Sequence, residues 1–197
     1  ISTNPSINYA MIWEVKINTL DEIIEKINQS KLSQIAWSKL EIEERVIYLK
    51  EIFDLFILNK EKIVKSISEE MWMPISQART FDFDFWMNYF SWYLENARKY
   101  LSPEVTFENE KELHTVFYEP KWLVVAVAPW NYPFFMFIWT CIQPLLAGNV
   151  VIYKTSKETI LTWKLIIDII NKSSIPKWVI DEVFWDWSIW NQLINEK

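Results

Sequence analysis

Few side chains in this sequence are equipped for chemistry, and most of those read as structural. Cys141, the only thiol, lies mid-helix in an apolar stretch. It has no adjacent histidine or helix N-terminus to depress its pKa, so it belongs to the core rather than to a nucleophilic site. His114, the only histidine, stands in a strand-rich segment, and no Cys/His cluster has the spacing of a metal site. Lys154 differs from these. It ends a predicted strand, and ligands of open α/β sheets bind in the crevice beyond strand ends, where an ammonium can donate hydrogen bonds. Asn131, within Pro129-Trp130-Asn131-Tyr132-Pro133, follows another predicted strand; taken alone, an asparagine there is a turn former.

The elements that must position these residues are legible from periodicity. Thr19-Leu-Asp-Glu22 is a capping box opening a helix through Ile23, Ile24 and Ile27. A second helical stretch runs from about Glu41 to Leu58, with Val46, Leu49, Ile52, Phe53 and Phe56 on one stripe, and a third from Lys60 to Met71. Pro74 opens a long fourth helix to about Leu101, and Pro103 ends it. Val105 to Glu108 and Leu113 to Tyr118 then read as short alternating strands, and Trp122 to Ala128 as a buried one. After it come a helix (133–146), a strand (149–153), a helix (158–171), a strand (179–184) and the start of a last helix near Ser188. Strands alternating with helices in this way predict right-handed βαβ units around a parallel sheet, an architecture that hosts many activities.

Composition narrows the field. A chain of 197 residues, 51% hydrophobic and 23% charged, has the balance of a globular protein with a real core. A net charge of -6 opposes nucleic-acid binding. No apolar run approaches the roughly 18 residues of a membrane span, so no membrane association is expected. The N-terminal Ile1-Ser-Thr-Asn-Pro5 lacks the features of a secretory signal, and a lone cysteine cannot form an internal disulfide. A cytoplasmic location follows as the expectation.

One glycine, Gly148, stands against thirteen tryptophans. A chain of this length ordinarily carries roughly 14 glycines, about 7%, because tight turns need a residue without Cβ. Trp185, Trp187 and Trp190 crowd a predicted strand-to-helix turn where glycines belong. The imbalance suggests UGA recoding: codons that specify glycine in some bacterial lineages have been read as tryptophan. The alternative, a tryptophan-rich surface for stacking sugars or bases, sits poorly with the acidic charge and with the absence of binding-face periodicity.

Glu119-Pro-Lys-Trp-Leu-Val-Val-Ala-Val-Ala-Pro-Trp-Asn-Tyr-Pro133 resembles the E-P-x-G-V-V-x-x-x-x-P-W-N-[FY]-P segment of the NAD(P)-dependent aldehyde dehydrogenases, with Trp122 at the glycine position. Pro144-Leu-Leu-Ala-Gly-Asn149 is similar to P-x-L-x-A-G-N with the proline shifted by one, and Lys154-Thr-Ser-Lys157 to K-P-[SA]-E. Ile175-Pro-Lys-Trp-Val179 resembles [GL]-[IL]-P-x-G-V, and Phe184-Trp-Asp-Trp187 stands where x-G-D-G would be read. Upstream, Glu70-Met-Trp-Met-Pro-Ile-Ser-Gln-Ala78 resembles E-x-G-K-P-x-x-x-A, and Ile12-Trp-Glu-Val15 a G-E-V motif. The resemblance sorts the tryptophans: Trp13, Trp72, Trp122, Trp178, Trp185, Trp187 and Trp190 replace family glycines, whereas Trp37, Trp92, Trp130 and Trp139 fall where tryptophan is tolerated or preferred. Trp86 and Trp163 stay unassigned.

The resemblance implies an α/β fold: an N-terminal helical layer (1–103), a β-hairpin oligomerisation arm (104–119) and an incomplete Rossmann-like parallel sheet of about three strands (120–197). It implies oxidation of an aldehyde to a carboxylate with NADP or NAD, by cysteine attack, hydride transfer and thioester hydrolysis. Asn131 would supply the amide donor that stabilises the thiohemiacetal oxyanion, and Trp130 would line the nicotinamide-ribose end of the cleft. Lys154 would bind the adenosine-ribose hydroxyls. Lys157 replaces a glutamate frequent in NAD-preferring members, which removes a repulsion and, with Ser156 as a further donor, favours dual or NADP use. Trp187 falls where the adenine half of the cofactor lies. The Glu70–Ala78 and Trp130–Pro133 segments look most like the succinate-semialdehyde dehydrogenase branch. The family's catalytic cysteine and its glutamate in an E-L-G-G-type segment both lie beyond Lys197, so the chain as given is expected to be an inactive N-terminal piece of a homo-oligomeric (dimeric or tetrameric) enzyme. A non-catalytic nucleotide-binding or oligomerising fragment, and a CoA-dependent semialdehyde dehydrogenase, are the alternatives.

Overall fold

Thr19 caps α1 (Leu20–Trp37) as its sequence requires: its hydroxyl accepts the Glu22 N–H and the Glu22 carboxylate accepts the Thr19 N–H. A computed structural model of the chain describes residues 1–184. Before α1, β1 (Ser2–Asn4) and β2 (Ala10–Trp13) form an antiparallel hairpin that the sequence reading had not anticipated. Next come α2 (Ile42–Leu58) and α3 (Lys60–Met71). The long fourth helix is not continuous. It consists of α4 (Ile75–Gln77), a π-helical segment (Ala78–Asp84) and α5 (Phe85–Leu101). The wider π turn contains Asp82, fully buried against the start of a later helix; such insertions concentrate at functional sites.

The hairpin of β3 (Glu104–Glu108) and β4 (Leu113–Val116) is antiparallel, with every residue of β3 exposed. The sheet follows: β5 (Leu123–Val127); α6 (Pro133–Phe137), continued by a second π segment (Ile138–Ile142) into α7 (Gln143–Leu146); β6 (Val150–Lys154); a 3-10 turn (Lys157–Thr159) leading into α8 (Ile160–Ile170); and β7 (Ile180–Val183). The three strands are parallel in the order β5-β6-β7, with Val124 beside Val151 and Val151 beside Ile180. This is the incomplete parallel sheet that the alternating pattern predicts.

Two layers enclose the sheet. On one face Ile23 and Ile27 of α1 pack on Leu123, Ile152 and Val183, and Lys26 donates to both Asp181 carboxylate oxygens at 2.9 Å and to the Glu182 carbonyl at 2.8 Å. On the other face Tyr153 meets Trp163 of α8, and Phe56 of α2 makes edge contacts with Phe134 and Phe137. β5 departs from expectation: it was read as buried, yet Val125 is 46% and Val127 51% exposed. The cause is topology, since β5 is an edge of the described sheet and α1 reaches only its Leu123 end. No helix among the described residues is long and apolar enough to cross a membrane.

The helical layer and the sheet are also joined at helix ends. Trp37 Nε1 donates to the Leu145 carbonyl at 3.0 Å and Arg45 Nε to the Leu146 carbonyl at 2.8 Å, satisfying acceptors that the C-terminal turn of α7 leaves over. Glu70 of α3 does the converse: its two carboxylate oxygens accept the Leu161 and Thr162 N–H groups, each at 2.7 Å, in the first turn of α8. Glu70→Ala in the full-length protein therefore orphans two buried donors. It should cost about 1–3 kcal/mol per lost partner, seen as a lowered urea midpoint; an unchanged midpoint would show that this junction carries no stability.

Candidate functional site

The C-terminal ends of β5 and β6 lie side by side. Val127 is the register partner of Lys154, and the Ala128 N–H donates to the Lys154 carbonyl at 3.0 Å. From that tie the chain passes through Pro129, Trp130 and Asn131 to Tyr132, which is left-handed (φ 53, ψ 63) and serves as N-cap of α6 without a side-chain cap of its own. A non-glycine residue in that region is strained, and such strain persists where its surroundings over-determine the backbone. Trp130 is 55% exposed, and Asn131 is exposed with no side-chain hydrogen bond among the described residues. Its amide is thus open to a ligand.

Asp82 is what holds this turn. Pro133 at the first helical position has no N–H, and Asp82 Oδ1 accepts the next-but-one donor, the Phe135 N–H, at 2.7 Å. The Phe134 N–H also bears on the same carboxylate. Burial pushes the Asp82 carboxyl up to about 7, against the lowering effect of those two amides, and Oδ2 has no hydrogen-bond partner among the described residues. Asp82 and Glu70 thus play matching parts. Each reaches from the helical layer to the second and third N–H groups of a helix that follows a sheet strand, where negative charge is favoured by the helix dipole.

The second half of the site follows β6. Lys154 is half-buried, and desolvation lowers its ammonium pKa while Glu158 raises it. Ser156 caps the 3-10 turn, its hydroxyl engaged with the backbone N–H and carboxylate of Glu158. Lys157 is exposed, with its ammonium 3.8 Å from Glu158. Trp130 and Lys157 line one cavity of about 450 Å³, together with Glu158, Glu70 and Tyr9 of the N-terminal hairpin. Lys154, Ser156 and Asn131 are not among its lining residues. The geometry therefore pairs Trp130 with Lys157 on one side and Val127 with Lys154 on the other. Trp187 lies outside the described residues. Cys141 is fully buried, with its thiol pKa pushed far up by desolvation, consistent with a core role.

The profile of the Aldehyde dehydrogenase family matches residues 1–196. The chain belongs to the aldehyde dehydrogenase family. It is 25% identical over 182 residues to 1-pyrroline-5-carboxylate dehydrogenase of Staphylococcus epidermidis, covering 92% of this chain and 35% of that one. The chain thus spans about a third of the length of the curated relatives it matches. Its fold superposes on succinic semialdehyde dehydrogenase from Streptococcus pyogenes in complex with NADP+ with a TM-score of 0.87 at 16% identity, covering 96% of this chain and 41% of that one. It superposes on PnpE in complex with nicotinamide adenine dinucleotide with a TM-score of 0.90 at 23% identity, covering 100% and 40%.

Within this aldehyde dehydrogenase chain, the residues that the sequence reading missed are Asp82, Glu70 in its capping role, and Glu158. A signal existed for the first two. Glu70 continues the stripe of Ile63 and Ile67 on α3, and Asp82 stands between Phe81 and Phe83. A carboxylate on an apolar face calls for a buried donor.

The raised Asp82 pKa has a definite sign. Between about pH 4, where an unfolded aspartate titrates, and about pH 7, the folded chain keeps a proton that the unfolded chain releases. The contribution is full below that window and is lost as pH rises through it. Asp82→Asn retains an acceptor for Phe135 and should remove this share of the slope of stability against pH. It leaves the share of Glu182, whose carboxyl burial also pushes up to about 7. Asp82→Ala should flatten the same share of the slope and cost a further amount of about 1–3 kcal/mol for the lost acceptor. Urea midpoints from pH 4 to 8 check both, and a wild-type slope in D82N would refute the assignment.

Proposed function

We propose that this chain is the N-terminal, cofactor-binding part of an NAD(P)-dependent aldehyde dehydrogenase that oxidises a semialdehyde, succinate semialdehyde being the first candidate, to a carboxylate. The observation that carries the reading is the arrangement at the ends of β5 and β6, in a chain of this family. Exposed Val127 is the register neighbour of Lys154, and exposed Trp130 lines a cavity with Lys157, a combination of apolar surface and ammonium groups that fits the ring faces and ribose hydroxyls of a dinucleotide. A nicotinamide cofactor held there would supply the hydride acceptor that aldehyde oxidation needs.

The chain's own residues contribute charge stabilisation and cofactor contacts. Asn131 donates its side-chain amide to the oxyanion that forms when the aldehyde carbon is attacked, and Asp82 keeps the turn in place while that charge develops. A donor fixed beforehand needs no reorganisation at the moment of reaction. Lys154 orients the adenosine ribose. Lys157 stands where a 2'-phosphate would lie, with Ser156 as a further donor. Glu158 restrains this preference, since its carboxylate already engages both. Use of both NAD and NADP follows, and it agrees with solved neighbours holding NADP+ in one case and nicotinamide adenine dinucleotide in another.

The division into a helical part (1–103), an arm (104–119) and βαβ units (120–197) belongs to the same reading. The arm pairs with a second subunit, which would cover Val105, Phe107, Leu113 and Val116, all exposed here. The lone cysteine suits a cytoplasmic enzyme.

The test uses the full-length enzyme. Asn131→Ala should lower kcat about 10²–10³-fold and leave cofactor affinity within about twofold. Lys157→Glu should leave kcat with NAD unchanged and weaken NADP about tenfold, the range of one charge-assisted contact. A kcat in N131A within twofold of wild type would remove the oxyanion role, and equal affinities in K157E would remove Lys157 from the phosphate subsite.

A further inference from the structure

Three tryptophans have a backbone conformation that suits glycine. Trp72 ends α3 at φ 51 and ψ 31, in the left-handed cap position where glycine dominates because a Cβ is penalised there. Trp178, at φ 68, is the third residue of a turn closed by the Val179 N–H on the Pro176 carbonyl at 3.3 Å. With positive φ at that place, the turn is of the type II kind, which calls for glycine. Trp122, at φ 78, delivers the chain into β5, and its carbonyl accepts the Val150 N–H at 2.9 Å. Its conformation is therefore fixed by the sheet.

The four tryptophans that the motif positions keep as tryptophan agree with this. None of Trp37, Trp92, Trp130 and Trp139 has a positive φ. Of the other left-handed residues among those described, Asn8 and Tyr9 form the tip of the N-terminal hairpin and Tyr132 is the strained cap beside Asn131. A further contrast comes from the core. Trp37 is buried and spends its indole N–H on the Leu145 carbonyl. Trp163 is equally buried, yet its indole N–H has no partner among the described residues, and its ring centroid lies 3.6 Å from that of Tyr153. Aromatic pairs ordinarily sit about 4.5–7 Å apart.

We infer that Trp72, Trp122, Trp163 and Trp178 are glycine in the protein as its own cell makes it, their codons being UGA read as glycine, while Trp37, Trp92, Trp130 and Trp139 are true tryptophans encoded by UGG. Trp130 in the candidate site is then native, and the backbone entering β5 is free of Cβ strain. The assignment extends the composition argument to single positions and does not rest on the enzymatic reading.

Two measurements test it. The nucleotide sequence should show UGA at positions 72, 122, 163 and 178 and UGG at 37, 92, 130 and 139, and tryptic peptides of the protein from its source cells should carry the masses of glycine at the first set. UGG at 72, 122 or 178 would overturn the inference. Independently, full-length protein can be made from two synthetic genes, one with tryptophan and one with glycine at 72, 122 and 178, the three positions of positive φ. The glycine form should be the more soluble and should melt cooperatively at a higher temperature. Trp37→Gly in that glycine form should instead lower the melting temperature, because it empties a core site and removes the indole hydrogen bond to the Leu145 carbonyl. A tryptophan form that melts as high as the glycine form would count against the structural argument.

Discussion

Helix ends are the constraint on which this structure depends. Each helix leaves N–H groups unpaired at its start and carbonyls at its end, and the short helices flanking β6 are too buried for water to serve them all. The N-terminal helices supply the missing partners with the appropriate charge. Arg45 and Trp37 donate at the carbonyl end of α7, whereas Asp82 and Glu70 accept at the N–H ends of α6 and α8. Cation at the C-terminus and anion at the N-terminus is the arrangement the helix dipole favours. The helical layer is therefore the source of the polar partners without which these βαβ units would hold unsatisfied groups in their core.

The same constraint places the site. Asn131 and Trp130 occupy a short connection whose far end is held by Asp82 and whose near end is held by the Ala128 hydrogen bond to the Lys154 carbonyl. Between two fixed points the chain passes through the left-handed Tyr132, a conformation that costs of order 1–3 kcal/mol and survives only because both ends are pinned. The loop after β6 is anchored in the same manner by Glu70. The side chains proposed to act on substrate and cofactor thus stand on loops whose ends belong to the core, which combines exposure with a fixed backbone.

Much of this was legible beforehand, for reasons that differ from element to element. The capping box at Thr19, the stripes of α2 and α3 and the alternation of apolar strands with helices are local patterns, and local patterns survive translation into structure. The parallel pairing of Val124 with Val151 followed from connectivity. What was not legible depends on partners distant in sequence. The π segments, the exposed outer part of β5 and the carboxylate caps all arise where two elements meet, and Asp82 meets Phe135 from 53 residues away. At the site, Lys157 was read by itself, whereas in space its charge is shared with Glu158, so its pull on a phosphate is weaker than its position suggests.

The tryptophans show the same division between local and distant information. Composition alone reveals that glycine is missing, but not from where. Backbone conformation supplies the positions, because φ is set by the path the chain must follow rather than by the residue assigned to it. At Trp72, Trp122 and Trp178 that path is imposed by a helix end, a sheet entry and a tight turn, and each would cost of order 1–3 kcal/mol with a Cβ present. Three such terms consume a large part of a margin of about 5–15 kcal/mol. Gly148, at φ 85 between α7 and β6, shows what a native solution to the same demand looks like: the chain turns from helix end to strand through a left-handed residue that carries no Cβ to strain.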